Sequence, residues 1–322
     1  MSPKPTELIL MARIARGYYL DDRSKTELAD ELGISRFRVA RLLDAAKRAG
    51  VVTVRVESPS GVNTDLSVEL QRRFGLSHAV VVDVTDEHQE SLRRRLGEVA
   101  AEVLQEILGP EDVLGLAWAR SLRGIGSAIR GVPPCPVVQL TGALSGPDGS
   151  DVLELVRRVA QAGGGVPHVF YAPLVAPDAA SARALRRQPD VARAAELVSR
   201  VTVAVVGIGS WQPGLSTIYD MVEPDARDRA RSLGTIGEIS GAFIDNRGAP
   251  VSTPLSRRII GVSGEQLRTI KNVISVAYGE PKAAAVGAAL RGGLVTGLIT
   301  HDGLARALLA DDADRAAHAV AD

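Results

Sequence analysis

Lys282, in the stretch YGEPKAAAVGAAL, is one of only two lysines after residue 64, the other being Lys271, in a chain whose later cations are otherwise arginines. The pattern around it puts the amine in the first turn of a helix, beside a glycine loop. A cation there opposes the helix dipole unless an anion sits between them, so a ligand phosphate is the chemistry this position suits. Four further stretches carry groups of the same kind. GLAWARSLRGIGSAI runs from an apolar segment into a helical one with Trp118, Arg120 and Ser121 at the junction, where unpaired backbone N–H groups favour an anion. QLTGALSG offers Gln139, Thr141 and Gly142, and VGIGS ends another apolar run at Gly207 and Gly209. FIDNRG offers Asp245 as an acceptor for sugar hydroxyls, while an Asx turn into Asn246 would use the same carboxylate.

A second set of chemical groups lies near the N-terminus, in SRFRVARLLDAAKR. At 3.6 residues per turn, Val39, Leu42, Leu43 and Ala46 share one face, leaving Phe37, Arg41, Asp44 and Arg48 opposite, with Arg38 to one side. Ser35 caps this helix and Arg36 sits in its first turn. Arginines at such positions suit guanine edges or phosphates, and an exposed Phe37 suits a thymine methyl.

The elements that must hold these groups follow from periodicity. Thr6–Tyr19 reads as a first helix; Ser24 with Glu27 forms a capping box for a second, ended by Gly33; Ser35 then opens the third. A helix, a tight turn and a second helix with a cationic N-terminal half is the layout of a helix-turn-helix. After Gly50, VVTVRVE alternates Val52, Val54 and Val56 with Thr53, Arg55 and Glu57, the pattern of a wing that turns Arg55 toward a phosphate backbone. The competing reading is a small helical domain with solvated arginines. Against it, residues 1–57 carry eleven Lys and Arg and eight Asp and Glu, an excess of +3 that the remainder of the neutral chain offsets.

PSGVNT has no periodicity and marks a linker, placed at 58–64. The following residues, 65–322, alternate apolar runs (79–84, 112–117, 136–141, 168–173, 201–209, 273–279, 294–300) with helical segments such as 89–108, 120–130, 151–162 and 281–291. Strands buried on both faces read this way, which predicts an α/β unit with a mainly parallel sheet. GAFIDNRG (241–248) reads as a short strand and turn inserted into it. Ligands in such sheets bind beyond the carboxyl ends of the strands, where the loops described above fall.

Composition sets the remaining bounds. At 322 residues, two units are expected, and zero formal net charge argues against a polyanion-binding surface over the whole molecule. A single cysteine, Cys135, excludes an internal disulfide framework and a Cys-rich metal site. No signal-peptide core and no apolar run near about 20 residues is present, so a cytoplasmic chain without membrane contact is expected. The absence of GK[ST], HExxH and GxSxG motifs weighs against an enzyme, and no cofactor and no metal are expected.

The stretches LADELGISRFRVARLLDAAKRAGVV, VVQLTGALSG, GEISGAFIDNRG and RRIIGVSGEQLRTIKNVISVAYGEPKAAAVGAALRGGLVTGLITHDGLARALL resemble the SorC/DeoR-type sugar-binding transcriptional regulators over nearly the whole chain. The resemblance implies an effector domain similar to the sugar-phosphate isomerase fold. It also implies a phosphorylated sugar or polyol as inducer, operator DNA as partner and a homo-oligomer, dimer or tetramer, with repression the commoner role. By the same carry-over, Trp118, Arg120, Ser121 and Lys282 would face the phosphate, and Gln139, Thr141 and Asp245 the sugar. Relatives commonly place glycine on both sides of the tryptophan and threonine after the basic residue, where this chain has Ala117, Ala119 and Ser121. Two other readings remain. An isomerase-like enzyme would need a positioned general base, with Asp245, Glu238, Glu280 and His301 as candidates, none in a motif pairing acid with base. A constitutive DNA-binding oligomer would lack a polar pocket.

Overall fold

The computed structural model describes residues 5–53, 61–83, 88–144 and 152–321, with side chains through 313. The chain divides into two compact units, residues 1–57 and 58–322.

The first unit is built from α1 (Pro5–Tyr19), α2 (Lys25–Leu32) and α3 (Arg36–Arg48). Met11, Ile14, Leu28, Ala29, Val39, Leu42, Leu43 and Ala46 bury one small core, the stripes that the helical spacing predicts. The expected capping box is present: Glu27 N–H donates to Ser24 Oγ at 3.2 Å and Ser24 N–H to Glu27 Oε2 at 2.7 Å. Gly33 ends α2 at φ +62°, a left-handed conformation that glycine adopts without a Cβ clash, and so permits the short turn into α3. Ser35 Oγ then accepts Arg38 N–H at 3.2 Å and caps α3. Residues 51–53 are not strand. Arg55 and the rest of the expected wing lie outside the described residues.

The second unit opens where a linker was expected. Val62 bridges antiparallel to Val82, and the Asn63 side chain caps α4 (Thr64–Phe74), so residues 61–64 are part of the folded unit. There follow β1 (His78–Val82), α5 (Gln89–Ile107), β2 (Leu114–Leu116), α6 (Ile125–Ala128), β3 (Val137–Gln139), α7 (Val152–Gly163) and β4 (Pro167–His168). Next come α8 (Ala179–Arg186), α9 (Pro189–Val198), β5 (Val203–Val206), β6 (Ile208–Ser210), α10 (Thr217–Met221), α11 (Pro224–Ser232), β7 (Gly237–Ile239) and β8 (Ala242–Ile244). The chain closes with α12 (Gly264–Thr269), β9 (Asn272–Val276), α13 (Ala283–Arg291), β10 (Gly297–His301) and α14 (Asp302–Ala321). Seven strands form a sheet in the order β1-β10-β9-β5-β2-β3-β4, every pair parallel.

Helices cover both faces of this sheet. Ala204 and Val206 of β5 pack in one core with residues of α4, α13 and α14, while Val203 and Val205 pack in the other with α5 and α7. Successive side chains of a strand point to opposite faces, which is why these runs read as continuously apolar.

Three expected elements come out differently. The run 201–209 is two strands: β5 ends at Val206 and the chain leaves the main sheet at Gly207, β6 joining β7 and β8 in a three-stranded antiparallel sheet. The inserted strand and turn foreseen at 241–248 is part of that small sheet. Within 168–173 only His168 is strand, with Pro173 making an isolated bridge to Ala143. The helix expected at 120–130 is a 3-10 turn, Arg120–Leu122, and the four-residue α6, with Gly124 and Gly126 lowering helix propensity.

Candidate functional site

On the first unit, Ser35, Arg36, Phe37, Arg38 and Arg41 are all exposed on the N-terminal half of α3. Phe37 is 83% exposed, the most exposed large apolar side chain among the described residues. None of the three arginines takes part in a described ion pair, so a cationic helix face with an apolar centre is presented to solvent. This is a surface suited to base edges and phosphates.

On the second unit, a cavity of about 210 Å³ lies beyond the carboxyl ends of β2, β5 and β9, three neighbours at the centre of the sheet. Trp118, Arg120 and Ser121 reach it from the turn after β2, Gly207 and Gly209 from the crossing between the two sheets, and Lys282 from the turn after β9. Six of the ten expected effector contacts therefore converge. Arg120 Nε donates to Thr217 Oγ1 at 3.1 Å, and its guanidinium lies 3.6 Å from Asp220 Oδ2. Lys282 Nζ donates to the Ile208 carbonyl at 3.2 Å and stands 5.2 Å from the centroid of the Tyr278 ring.

The other four do not line the cavity. The Gln139 amide is buried and used at both ends, donating to the Thr141 carbonyl at 2.8 Å and accepting Phe170 N–H at 3.0 Å. Thr141 Oγ1 accepts Trp118 N–H at 2.9 Å and so fixes the cavity loop from behind. A Cβ on Gly142 would come 2.5 Å from the backbone of Pro173, so its bare Cα lets two chain segments meet. Asp245 Oδ1 accepts N–H from Arg247 and Ala249, both at 2.8 Å, the turn-forming alternative of its sequence.

Several lining residues carry no motif. Arg93 and Gln89 come from α5, Ser216 and Thr217 from the start of α10, Tyr278 from the turn after β9, and Glu238 from β7. Glu238 was visible in GEISG only as a candidate base; Arg93 sits in a run of three arginines with nothing in the sequence to say which one turns inward. The Glu238 carboxylate is held on both oxygens: Ser216 Oγ donates to Oε1 and Gly241 N–H to Oε2, each at 2.9 Å. Burial pushes Glu238 above the usual carboxylate range, while Gly241, Ser216 and Lys282 pull it down. Burial likewise holds the Lys282 amine below its usual range; Glu238 raises it, and Arg120 and Arg93 lower it further. Glu238 and Lys282 thus act on each other within the cavity, and Arg120 and Arg93 lie close enough to act on the amine.

The alanines beside Trp118 fit without strain. Ala119 has φ −160°, extended backbone open to any residue, and its methyl group fills the space over Gly207 where a second Cβ would lie only 2.4 Å away. Ala117 is fully buried in the core beneath the loop. Among the described residues, no group of three or more His, Cys, Asp or Glu is arranged to hold a metal ion, and no helix is long and apolar enough to cross a membrane.

A helix-turn-helix unit followed by a parallel α/β unit with a cavity at its strand ends defines a class, the two-unit transcriptional regulators. The sugar-binding domain model matches residues 58–310. The transcriptional regulator LsrR of Klebsiella pneumoniae is 32% identical over 306 residues, covering 94% of this chain and 93% of that protein. The uncharacterized transcriptional regulator YjhU of Escherichia coli K12 is 28% identical, with 91% and 92% covered. In fold, the chain is similar to the full-length sorbitol operon regulator SorC of Klebsiella pneumoniae, with TM-score 0.72 and 24% identity over 94% of this chain and 98% of that one. The chain belongs to the SorC/DeoR-type sugar-binding transcriptional regulators.

Proposed function

We propose that this chain is a repressor whose first unit reads operator DNA and whose second unit releases it on binding a phosphorylated sugar or polyol. The observation that carries the reading is the cavity itself: Lys282, Arg93 and Arg120 line it together, with both guanidiniums close enough to act on the amine, so an anionic group is favoured there. Glu238 and Ser216 supply the polar partners for hydroxyl groups. The exposed arginines of α3 supply the DNA face in the same polypeptide. Two such faces, in a dimer or tetramer, engage half-sites about 34 Å apart on one side of the duplex. Effector control then rests on differential affinity for the DNA-competent arrangement; moving a population from 1:99 to 99:1 takes about 5.5 kcal/mol. An enzymatic role is the weaker reading, because of the four candidate bases, Asp245, Glu238, Glu280 and His301, Glu238 alone lines the cavity, with no second candidate beside it to act as its acid partner.

The test is operator binding, on duplexes selected from a random pool, measured with and without a panel of sugar phosphates and polyols. At least one phosphorylated compound should lower the affinity, and Lys282→Ala should raise its Kd tenfold or more, about 1.4 kcal/mol. Operator binding indifferent to the whole panel refutes effector control.

A further inference from the structure

The three cations of the cavity are not equivalent. Arg120 already faces Asp220 at 3.6 Å and donates to Thr217. Arg93 forms no ion pair among the described residues. It is held instead by neutral groups: Nε donates to Tyr278 Oη at 2.7 Å and Nη2 to Gln89 Oε1 at 2.9 Å, with the guanidinium carbon 5.3 Å from the Tyr278 ring centroid. Nη1 makes no hydrogen bond among the described residues. Lys282 Nζ stands 5.2 Å from that same ring, so one tyrosine gathers two cations.

Such a pair repels itself, and its repulsion contributes to holding the Lys282 amine down. The arrangement is also built to stay in place. Gly97 of α5 lies against Gly124, where a Cβ would come 2.4 Å from the Gly124 Cα, so the helix carrying Arg93 packs directly on the turn that carries Arg120. A planar guanidinium fixed at two nitrogens, with no acceptor for the third among the described residues, is pre-organised for an oxyanion.

We infer that Arg93, oriented by Tyr278 and Gln89, forms with Lys282 the anion subsite of this cavity and sets the preference for a doubly charged phosphate ester over the free sugar. The inference rests on the reading that the cavity takes a sugar derivative, and assigns the phosphate to the Tyr278 end rather than to Arg120. A fixed guanidinium beside an ammonium suits a dianion; a phosphomonoester, with a second pKa of about 6, is a dianion at pH 7.5 and largely a monoanion at pH 5.5.

The experiment uses the full-length protein. Inorganic phosphate is titrated against chloride at matched ionic strength, and a panel of sugars is run as pairs with and without the phosphate group, by thermal shift and calorimetry. Wild type should bind phosphate and favour the phosphorylated member of a pair. Arg93→Gln should weaken phosphate and sugar phosphate at least tenfold while leaving the free sugar unchanged, and Arg120→Gln should keep the preference. Tyr278→Phe, which removes only the hydroxyl that holds Nε, and Arg93→Lys, which keeps the charge but not the fork, should give intermediate losses and serve if Arg93→Gln does not fold. A preference that survives Arg93→Gln, or that vanishes in Arg120→Gln alone, overturns the assignment. A wild type that binds free sugars but not phosphate overturns it while leaving sugar sensing intact, whereas silence of both ligand and operator assays removes the regulator reading as well.

Discussion

Gly209 has no side chain because Glu238 occupies the room: a Cβ there would lie 2.2 Å from Glu238 Oε1 and 2.7 Å from Ser216 Cβ. Since Ser216 and Gly241 both hold that carboxylate, it cannot swing aside. Gly209→Ala should therefore cost about 1–3 kcal/mol in urea unfolding, the usual range for overpacking, and disturb the cavity as well. Residue-scale chemistry was legible where composition isolated it. Lys282 stood out because lysine is so scarce, and Gly207 and Gly209 because they follow an apolar run. Arg93 and Tyr278 were not legible, since their role depends on two segments 185 residues apart meeting through one hydrogen bond. His301 is a similar case. Its Nε2 accepts Gly279 N–H at 3.0 Å and so holds the turn that carries Lys282. Burial keeps its pKa below the ordinary 6.5, with Asp302 and Glu280 acting in the opposite direction. A folded-state pKa below the unfolded one means the unfolded chain binds more protons between the two values. The contribution is complete above about 6.5 and is lost as pH falls through that value toward the folded one. Thermal midpoints measured from pH 7.5 to 5.5 should thus fall more steeply in wild type than in His301→Gln; parallel curves would show that the Gly279 contact carries no proton linkage.

At the scale of elements, capping chemistry placed the helices of the first unit almost to the residue, because Ser24, Glu27, Gly33 and Ser35 act on their own neighbours. The second unit was legible as a mainly parallel sheet but not in its seams. Nothing in VTVAVVGIGS tells that the chain changes sheets at Gly207; that follows from strand partners, Asn272 to Ser275 for β5 and Gly237 to Ile239 for β6, which lie far along the sequence. Capping also separates two roles at the start of α3. Ser35 is exposed, and its hydroxyl accepts Arg38 N–H, so Ser35→Ala should cost the first unit about 1 kcal/mol of stability. Phe37 is 83% exposed and contributes little to the core, so Phe37→Ala should leave stability within about 0.5 kcal/mol while weakening operator binding. Denaturation and anisotropy titrations on the two variants should give opposite profiles. A large stability loss in Phe37→Ala would make that side chain a packing residue instead.

At the scale of the whole molecule, the question is how a chain of zero net charge holds a polyanion. Its first unit carries an excess of only +3 over residues 1–57, too little for tight nonspecific binding by one copy. In a symmetric dimer of the kind proposed, each phosphate contact made by one copy would be repeated by its mate on the second half-site, doubling the local positive excess while the offsetting −3 stays on each second unit. Each phosphate neutralised contributes about −0.9 to the slope of log K against log salt on duplex DNA. If Arg41 contacts a phosphate in a symmetric dimer, Arg41→Ala removes two contacts, and the slope should become shallower by about 1.8. A change near 0.9 would mean that only one copy engages the backbone there. An unchanged slope with weaker binding to the selected operator alone would move Arg41 from the backbone to a base edge, since base contacts discriminate sequence without releasing counterions.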